Sequence, residues 1–294
     1  MTAPTEPAVL SPLPAATARR PALRLLASAP WSMRVALGGV LGLLLVALLA
    51  PLIAPHDPNG ISPAEGLQSP GTAHLFGTDQ LGRDIFSRTV YGTRIDLLIG
   101  FVGVLVPLVV GTAVGLVSGY RGGWLDAVVG RVIDVITAFP FLVLVIAIVA
   151  MLGPGLRNFF VAVSLVSWVS YARIVRGQVL SAKQLDFVVA ARSLGFSAPR
   201  IALRHLLPNV IAPAIVFGAS DFVLDIVAGA SLGFFGLGAP PATAEWGVMI
   251  AEGRNFIVTA PWVVVFPGLA IIVVSFFFGL LGDALADAVR RVQA

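Results

Sequence analysis

Long uncharged runs of mostly apolar residues alternate along the chain with shorter polar segments. A helix needs about 20 such residues to cross the hydrocarbon core of a bilayer. Residues 158–172 fall short of that length and are expected to borrow a turn beyond Arg173, and the fifth run carries Asp221 and Asp225. The pattern predicts six membrane-spanning helices, at 35–54, 97–120, 135–156, 158–172, 210–236 and 256–282.

The composition points the same way. Hydrophobic residues make up 57% of the chain and charged residues 12%, and the mean hydropathy is +0.95. A soluble domain carries about 25% charged residues, so an ordinary soluble enzyme and a disordered protein are excluded. The lack of cysteine excludes a disulfide-stapled secreted domain. The predicted fold class is an all-α polytopic membrane protein.

The basic residues predict the orientation. With six spans both termini lie on one side, and placing them in the cytoplasm leaves five of the 19 basic residues outside. Cytoplasmic loops collect Lys and Arg, which supports this assignment. The net charge of +4 and the isoelectric point near 10.3 are therefore interpreted as topology, and no nucleic-acid partner is expected. The five outside residues are Arg83, Arg88, Arg94, Arg157 and Arg254.

These spans divide the chain into segments. The first span is too long for the apolar region of a secretory signal, so it is expected to be retained. The predicted segments are a cytoplasmic tail at 1–32, a first transmembrane helix at 33–54, an outer loop at 55–94, a transmembrane domain at 95–288 and a cytoplasmic C-terminus at 289–294. Within the domain, 182–207 is a cytoplasmic loop and 237–255 an outer loop. Long loops of this kind usually carry function.

The cytoplasmic loop predicts two short helices folded at a glycine. Ser181 and Gln184 fit a capping box, which would start a helix at Ala182. Gly195 suits the position after a helix end, where a positive φ is needed. One apolar face is expected at helical spacing, formed by Phe187, Ala190, Ala191 and Leu194.

A second helix is expected beyond that glycine. Ser197 can cap it, Pro199 lies early in it, and Pro208 should end it at Leu207. The pattern leaves two alternatives open for the whole loop: a surface that another protein approaches closely, or an amphipathic segment lying on lipid headgroups.

The same loop carries a family resemblance. Val189-Ala190-Ala191, then Gly195, then Leu207-Pro208 resembles the "EAA" loop of ABC importer permeases, with Val189 in place of Glu and His205 in place of Ile. The resemblance implies a coupling helix that sits in a groove of an ATP-hydrolysing subunit. The implied coupling residues are Asp186, Phe187, Ala190, Ala191, Arg192, Leu194, Gly195, Arg204, His205 and Pro208.

Further motifs narrow the resemblance. The segment 75–88 contains Gly77-Thr78-Asp79-Gln80-Leu81-Gly82-Arg83-Asp84, and 230–254 contains Ala230-Ser231-Leu232-Gly233, Pro240-Pro241 and Glu245-Trp246-Gly247. In this order they resemble the C-type permease subunit of the dipeptide/oligopeptide and nickel ABC importers. This implies the type I importer architecture, with cytoplasmic coupling helices, in the bacterial inner membrane. It also implies a homologous B-type permease, two ABC ATPase subunits that hold ATP and Mg, and an extracytoplasmic substrate-binding protein. Dipeptides or oligopeptides are the expected substrates, with nickel chelates and glutathione as alternatives.

Two sets of charged residues are candidates for function. Asp221 and Asp225 lie one turn apart in the fifth span, where an ionised carboxylate needs a partner or a wet cavity. They are expected either to line the pathway or to bond to a neighbouring subunit. The candidates for docking the binding protein are Asp79, Arg83, Asp84, Glu245, Trp246, Glu252 and Arg254. The charges of the first loop could instead pair with one another, and Trp246 could sit at the membrane interface.

Catalysis by this chain itself is not expected. It has no Gly-Lys-Ser or Gly-Lys-Thr, so a phosphate-cradling loop is absent from the sequence, and no His-Glu-x-x-His occurs. We predict a non-catalytic translocation subunit without a cofactor or metal. The remaining rival is a secondary transporter that uses Asp221 and Asp225 for ion coupling.

Overall fold

The computed structural model describes residues 30–293 and the side chains of residues 30–291. The predicted N-terminal tail therefore lies, up to residue 29, outside the described residues. Over the described range the chain is helical and contains no β-strand. Its helices are α1 (Trp31–Ile53), α2 (Ile85–Arg121), α3 (Gly123–Thr137), α4 (Phe141–Leu152), α5 (Leu156–Ala182), α6 (Asp186–Ser193), α7 (Ala198–Arg200), a π-helix (Ile201–Leu206), α8 (Leu207–Val210), α9 (Ala212–Phe234), α10 (Trp246–Gly253) and α11 (Trp262–Gln293). Two 3-10 turns, Pro63–Glu65 and Arg254–Phe256, complete the list.

Five of these helices are long and apolar enough to cross a membrane: α1, α2, α5, α9 and α11. Counting the bent pair α3–α4 as one span gives six. The outward surfaces of the long helices are apolar, as on Leu48 and Leu52 of α1, which are 69% and 83% exposed. Exposed apolar surface on this scale fits a lipid environment.

The third predicted span, 135–156, is not one straight helix. The chain bends by 88° between α3 and α4. Pro140 lies at the bend, with φ −59° and ψ 130°, which is not helical geometry. Proline has no N–H to donate and disfavours helical geometry in the residue before it, so α3 ends short of it.

Helices α2 and α5 are longer than the apolar runs that predicted them. Helix α2 begins at Ile85 instead of residue 97, because Asp84 caps it: the backbone N–H of Ser87 donates to Asp84 Oδ2 at 2.7 Å. Helix α5 continues to Ala182 instead of ending near residue 172. Hydropathy misses both extensions because they carry charged side chains, and in α5 Arg176 pairs with Asp126 of α3.

A stripe of glycines brings α2 and α5 together. Gly111, Gly115 and Gly119 follow one another at intervals of four residues along α2. A Cβ added at Gly115 would lie 2.5 Å from the carbonyl oxygen of Ala172 on α5. Small residues at this spacing let membrane helices pack backbone to backbone. This stripe is not among the features predicted above, although its spacing is readable in the sequence.

Candidate functional site

The segment that joins α5 to α9, residues 183–210, is termed the elbow. It comprises α6, α7, the π-helix and α8. It is the region in which the sequence predicts a docking loop.

The predicted start of the elbow helix is wrong. Helix α5 runs on through Ala182, and the Ser181 hydroxyl donates back to the carbonyl of Gly177 at 3.4 Å instead of capping a new helix. The next helix starts four residues later, at Asp186. The turn between them is fixed by Lys183, whose Nζ donates to the carbonyl of Gly119 at the end of α2 at 2.9 Å.

The glycine turn is confirmed. Gly195 has φ +77°, a conformation that side chains with a Cβ rarely adopt. The N–H of Phe196 donates to the carbonyl of Ala191 at 3.2 Å, and the N–H of Gly195 donates to that of Arg192 at 3.0 Å. These two bonds form the Schellman motif that closes a helix C-terminus.

The predicted stop before Pro208 is wrong as well. Ser197 precedes the second helix, α7, but its side chain makes no capping hydrogen bond. The backbone then widens into the π-helix Ile201–Leu206 and continues through Pro208, the second residue of α8. Proline is tolerated in the first turn of a helix, where its missing N–H has no intrahelical partner to lose. The elbow therefore runs almost continuously into the spanning helix α9.

Helix α6 has an anchored face and a free face. Val188 and Ala191 are 0% and 4% exposed and belong to a cluster with Val175, Val179 and Leu206. Ala191 thus faces this chain's own helices, which corrects its predicted place on the docking face. The free face remains apolar: the exposed side chains include Phe187, Val189, Ala190 and Leu194.

His205 packs inside the elbow. Its ring stacks on Phe196 with centroids 5.6 Å apart, and the Arg200 guanidinium also lies over the Phe196 ring, 4.2 Å from its centroid. His205 therefore packs against an aromatic ring at the position where the "EAA" loop that this segment resembles has isoleucine. The other predicted coupling residues Asp186, Arg192, Arg204 and Pro208 are exposed.

A second region, residues 55–84 together with 237–260, is termed the loop layer. Its central contact joins Asp79, Arg83 and Glu252. Arg83 Nε donates to Asp79 Oδ2, and Arg83 Nη2 donates to Glu252 Oε2 at 2.6 Å across 169 residues of chain. Arg83 is 1% exposed, so this is a buried ion-pair network and not a solvated turn.

Helix α10 is fixed inside the same layer. Glu245 caps it by accepting from the N–H groups of Gly247 and Val248 at 2.7 and 2.8 Å, and burial raises the pKa of Glu245 despite these bonds. Trp246 Nε1 donates to the carbonyl of Thr89 at 3.0 Å, which places the indole in the interior and not at the membrane interface. The carboxyl group of Asp96, which the sequence analysis missed, faces Glu245 and accepts from the Trp246 N–H.

These contacts correct the predicted docking surface. A side chain buried by its own chain has no surface to offer to a partner. Glu252 is partly exposed and Arg254 is exposed, so they alone of the seven stay candidates. The five buried residues are Asp79, Arg83, Asp84, Glu245 and Trp246.

Asp221 and Asp225 lie in the interior of the helix bundle. Asp221 is 6% exposed and accepts from the Tyr171 hydroxyl of α5 at 2.8 Å. Asp225 is fully buried, and a Cβ added at Gly103 of α2 would lie 2.4 Å from its Oδ2. Neither carboxylate therefore reaches the surface of this chain, and the pathway role predicted for them stays a prediction.

The chain matches a family model described as the inner membrane component of binding-protein-dependent transport systems, over residues 111–291. It is 40% identical over 245 residues to a dipeptide transport system permease protein of Alkalihalophilus pseudofirmus, covering 83% of this chain and 81% of that protein. It is 44% identical over 250 residues to a glutathione transport system permease protein of Escherichia coli O157:H7, covering 85% and 82%. Both alignments span most of each protein.

Among solved structures, the fold is similar to a chain of the MetNI methionine ABC transporter in inward-facing conformations. The TM-score is 0.55 at 20% identity, over 70% of this chain and 97% of that one. This likeness supports the type I importer fold predicted from the sequence.

Proposed function

The chain belongs to the family of inner membrane components of binding-protein-dependent transport systems, and we propose that it forms, with a homologous B-type permease, the membrane pathway of a peptide importer. It is a multi-pass membrane protein and a transport subunit. Peptide transport is supported by the dipeptide and glutathione permeases that it resembles. Both substrates carry an amide-bonded backbone, which makes short peptides the best-supported cargo.

The observation that carries the proposal is the two-faced elbow. Its inner face is locked onto the spanning helices through Val188 and Ala191, while Phe187, Ala190 and Leu194 stay exposed. An exposed apolar patch flanked by charged side chains is typical of a protein interface. In the proposed assembly this patch docks on one of two ATPase subunits, and α8 transmits its displacement to α9.

The remaining parts of the assembly follow from this arrangement. ATP and Mg would be held by the ATPases, since this chain has no phosphate-binding motif. The elbow would face the cytoplasm of a bacterial cell, with both termini on that side. The binding protein would approach the opposite end, where a depression of about 280 Å³ lies beside Glu252 and Arg254 and is partly lined by Phe234 and Phe235.

Reconstituted uptake tests this function. The chain is co-purified with its permease and ATPase partners and placed in vesicles with ATP inside and the binding protein outside. We expect labelled dipeptide to accumulate only when ATP and both ATPases are present. Labelled glutathione and ⁶³Ni²⁺, offered under the same conditions, distinguish the substrate alternatives.

Two results would count against the proposal. Uptake that continues without ATPases and follows an imposed proton or sodium gradient would favour the secondary transporter. ATP-dependent uptake of Ni²⁺ without peptide uptake would keep the importer and replace its cargo.

A further inference from the structure

Three side chains of the loop layer converge from separate segments. His56 follows α1, His74 lies in the middle of the outer loop, and Asp84 caps α2. One ligand atom from each lies within 4.8 Å of the other two. Within residues 30–293 no other group of three or more histidine and acidic side chains is arranged in this way.

We propose that His56, His74 and Asp84 bind a divalent transition-metal ion of the Zn²⁺ type. Asp84 Oδ1 lies 2.9 Å from His74 Nδ1 and 3.8 Å from His56 Nδ1. Ligand atoms on a tetrahedral zinc ion, with bonds of about 2.0–2.1 Å, are roughly 3.3 Å apart. These two separations bracket this value, and the remaining pair of ligand atoms lies within 4.8 Å, so the side chains have to draw together by no more than about 1.5 Å to bind one ion.

The second oxygen of Asp84 is already occupied. Asp84 Oδ2 accepts from the N–H of Ser87 at 2.7 Å, which holds the carboxylate in place and leaves Oδ1 turned towards the two imidazoles. Because the helix cap fixes the orientation of the carboxylate, Asp84 is preorganised as a metal ligand.

A carboxylate also lies near the second ring nitrogen of one of the two histidines. If His74 binds through Nδ1, its Nε2 faces Glu65 Oε2 at 3.8 Å. Zinc-bound histidines usually direct their other ring nitrogen to a carboxylate or carbonyl. Two imidazoles with one carboxylate favour zinc, nickel or copper over Ca²⁺ and Mg²⁺, which prefer all-oxygen sites.

The site is reachable from solvent on one side only. The side chains of His74 and Asp84 are 8% and 1% exposed, whereas that of His56 is 43% exposed. His56 therefore marks the entrance, and a fourth position is available to water. A bound ion would fasten the segment after α1 to the start of α2, which gives it a structural role in the loop layer.

The test is a zinc titration of the purified complex after chelator treatment, with a chromophoric competitor and a count of bound zinc. We expect the wild type to hold one more zinc ion per chain than the H56A/H74A double variant, and each single variant to bind at least a hundredfold more weakly. Zinc should raise the thermal unfolding midpoint of the wild type and not that of the double variant. Equal zinc content in the two proteins would overturn the proposal.

Two further variants separate metal binding from folding. In Asp84→Asn the amide oxygen can still accept from Ser87 and cap α2, but the anionic ligand is lost, so the variant should fold and lose the zinc. A folded D84N protein that binds zinc as tightly as the wild type would contradict the proposal. His205→Ala removes the third histidine of the chain, in the elbow, and should leave zinc binding unchanged.

Discussion

The sequence predicts docking for both the elbow and the loop layer, yet the two regions differ in which side chains they expose and which they bury. The elbow leaves apolar residues such as Phe187 and Leu194 exposed. The loop layer buries several of its charged residues, and Arg83 and Asp84 are 1% and 2% exposed. An apolar side chain that is exposed outside the lipid can still gain stability by being covered by a partner. A buried arginine that is paired with a carboxylate already has its partner within the chain. The exposed apolar face is therefore the better indication of a partner.

The largest effect is expected from breaking the buried network of the loop layer. Arg83→Ala would leave Asp79 without its ion pair in the interior. Removing one member of a buried pair costs about 3–5 kcal/mol. Thermal unfolding in detergent should show a strongly lowered midpoint, while Arg254→Ala, on the exposed side of the same layer, should leave it unchanged. Equal midpoints for R83A and wild type would show that the network contributes nothing to stability.

A large charge on the free face of the elbow should act on assembly instead of stability. Ala190→Arg would place a guanidinium in the proposed ATPase groove and weaken association by about a hundredfold, or roughly 2.8 kcal/mol. Co-purification of the ATPase with the permease pair measures this.

The matched control for that variant is Ala288→Arg, an exposed alanine of α11 on the predicted cytoplasmic side. It should retain the ATPase. Ala191→Arg, on the anchored face, should instead destabilise the permease itself. Normal ATPase binding by A190R would contradict the coupling role of the elbow.

A smaller effect is expected from the turn that separates the two arms of the elbow. Gly195→Ala forces a Cβ into a backbone with φ +77°, at a cost of about 1–2 kcal/mol. No atom lies within 4 Å of that Cβ, so the cost is conformational and not steric. Faster hydrogen exchange in residues 186–196, with unchanged exchange in α9, is the expected readout. Uniform exchange across both would show that the turn does not limit local opening.

The smallest effect is a change in pH dependence within the loop layer. Burial raises the pKa of Glu245 above its value in the unfolded chain. Such a group contributes full stability below the unfolded pKa and loses it as pH rises through the folded one. Unfolding midpoints of the wild type should therefore fall as pH rises from about 4.5, and Glu245→Gln should flatten this dependence. An equally steep pH dependence in E245Q would assign it to other groups.

Local signals in the sequence predicted a large part of the architecture. Apolar length located the long spans, and the positive φ at Gly195 followed from a glycine placed just after an apolar helical face. Pro140 and Pro208 look alike in sequence, but the first separates two helices, whereas the second lies in the first turn of α8, directly after the π-helix. The difference depends on how neighbouring helices hold the chain, which a single sequence does not record.

The loop layer was less predictable because its bonds are long-range. Arg83 and Glu252 are 169 residues apart, and nothing near either residue indicates the other. The His56–His74–Asp84 group joins three separate segments in the same way. The glycines of α2 are different, since their four-residue spacing was visible and a search for small residues at that interval would have found them.

The glycine stripe also limits how the bundle can move. Where α2 and α5 meet, carbonyl oxygens of one helix fill the places that side chains would take on the other. Sliding along the helix axis would take these glycines out of register with the carbonyl oxygens that they accommodate. The two helices are therefore expected to move together as one rigid body. The bent α3–α4 segment, which connects them in the chain, moves with them.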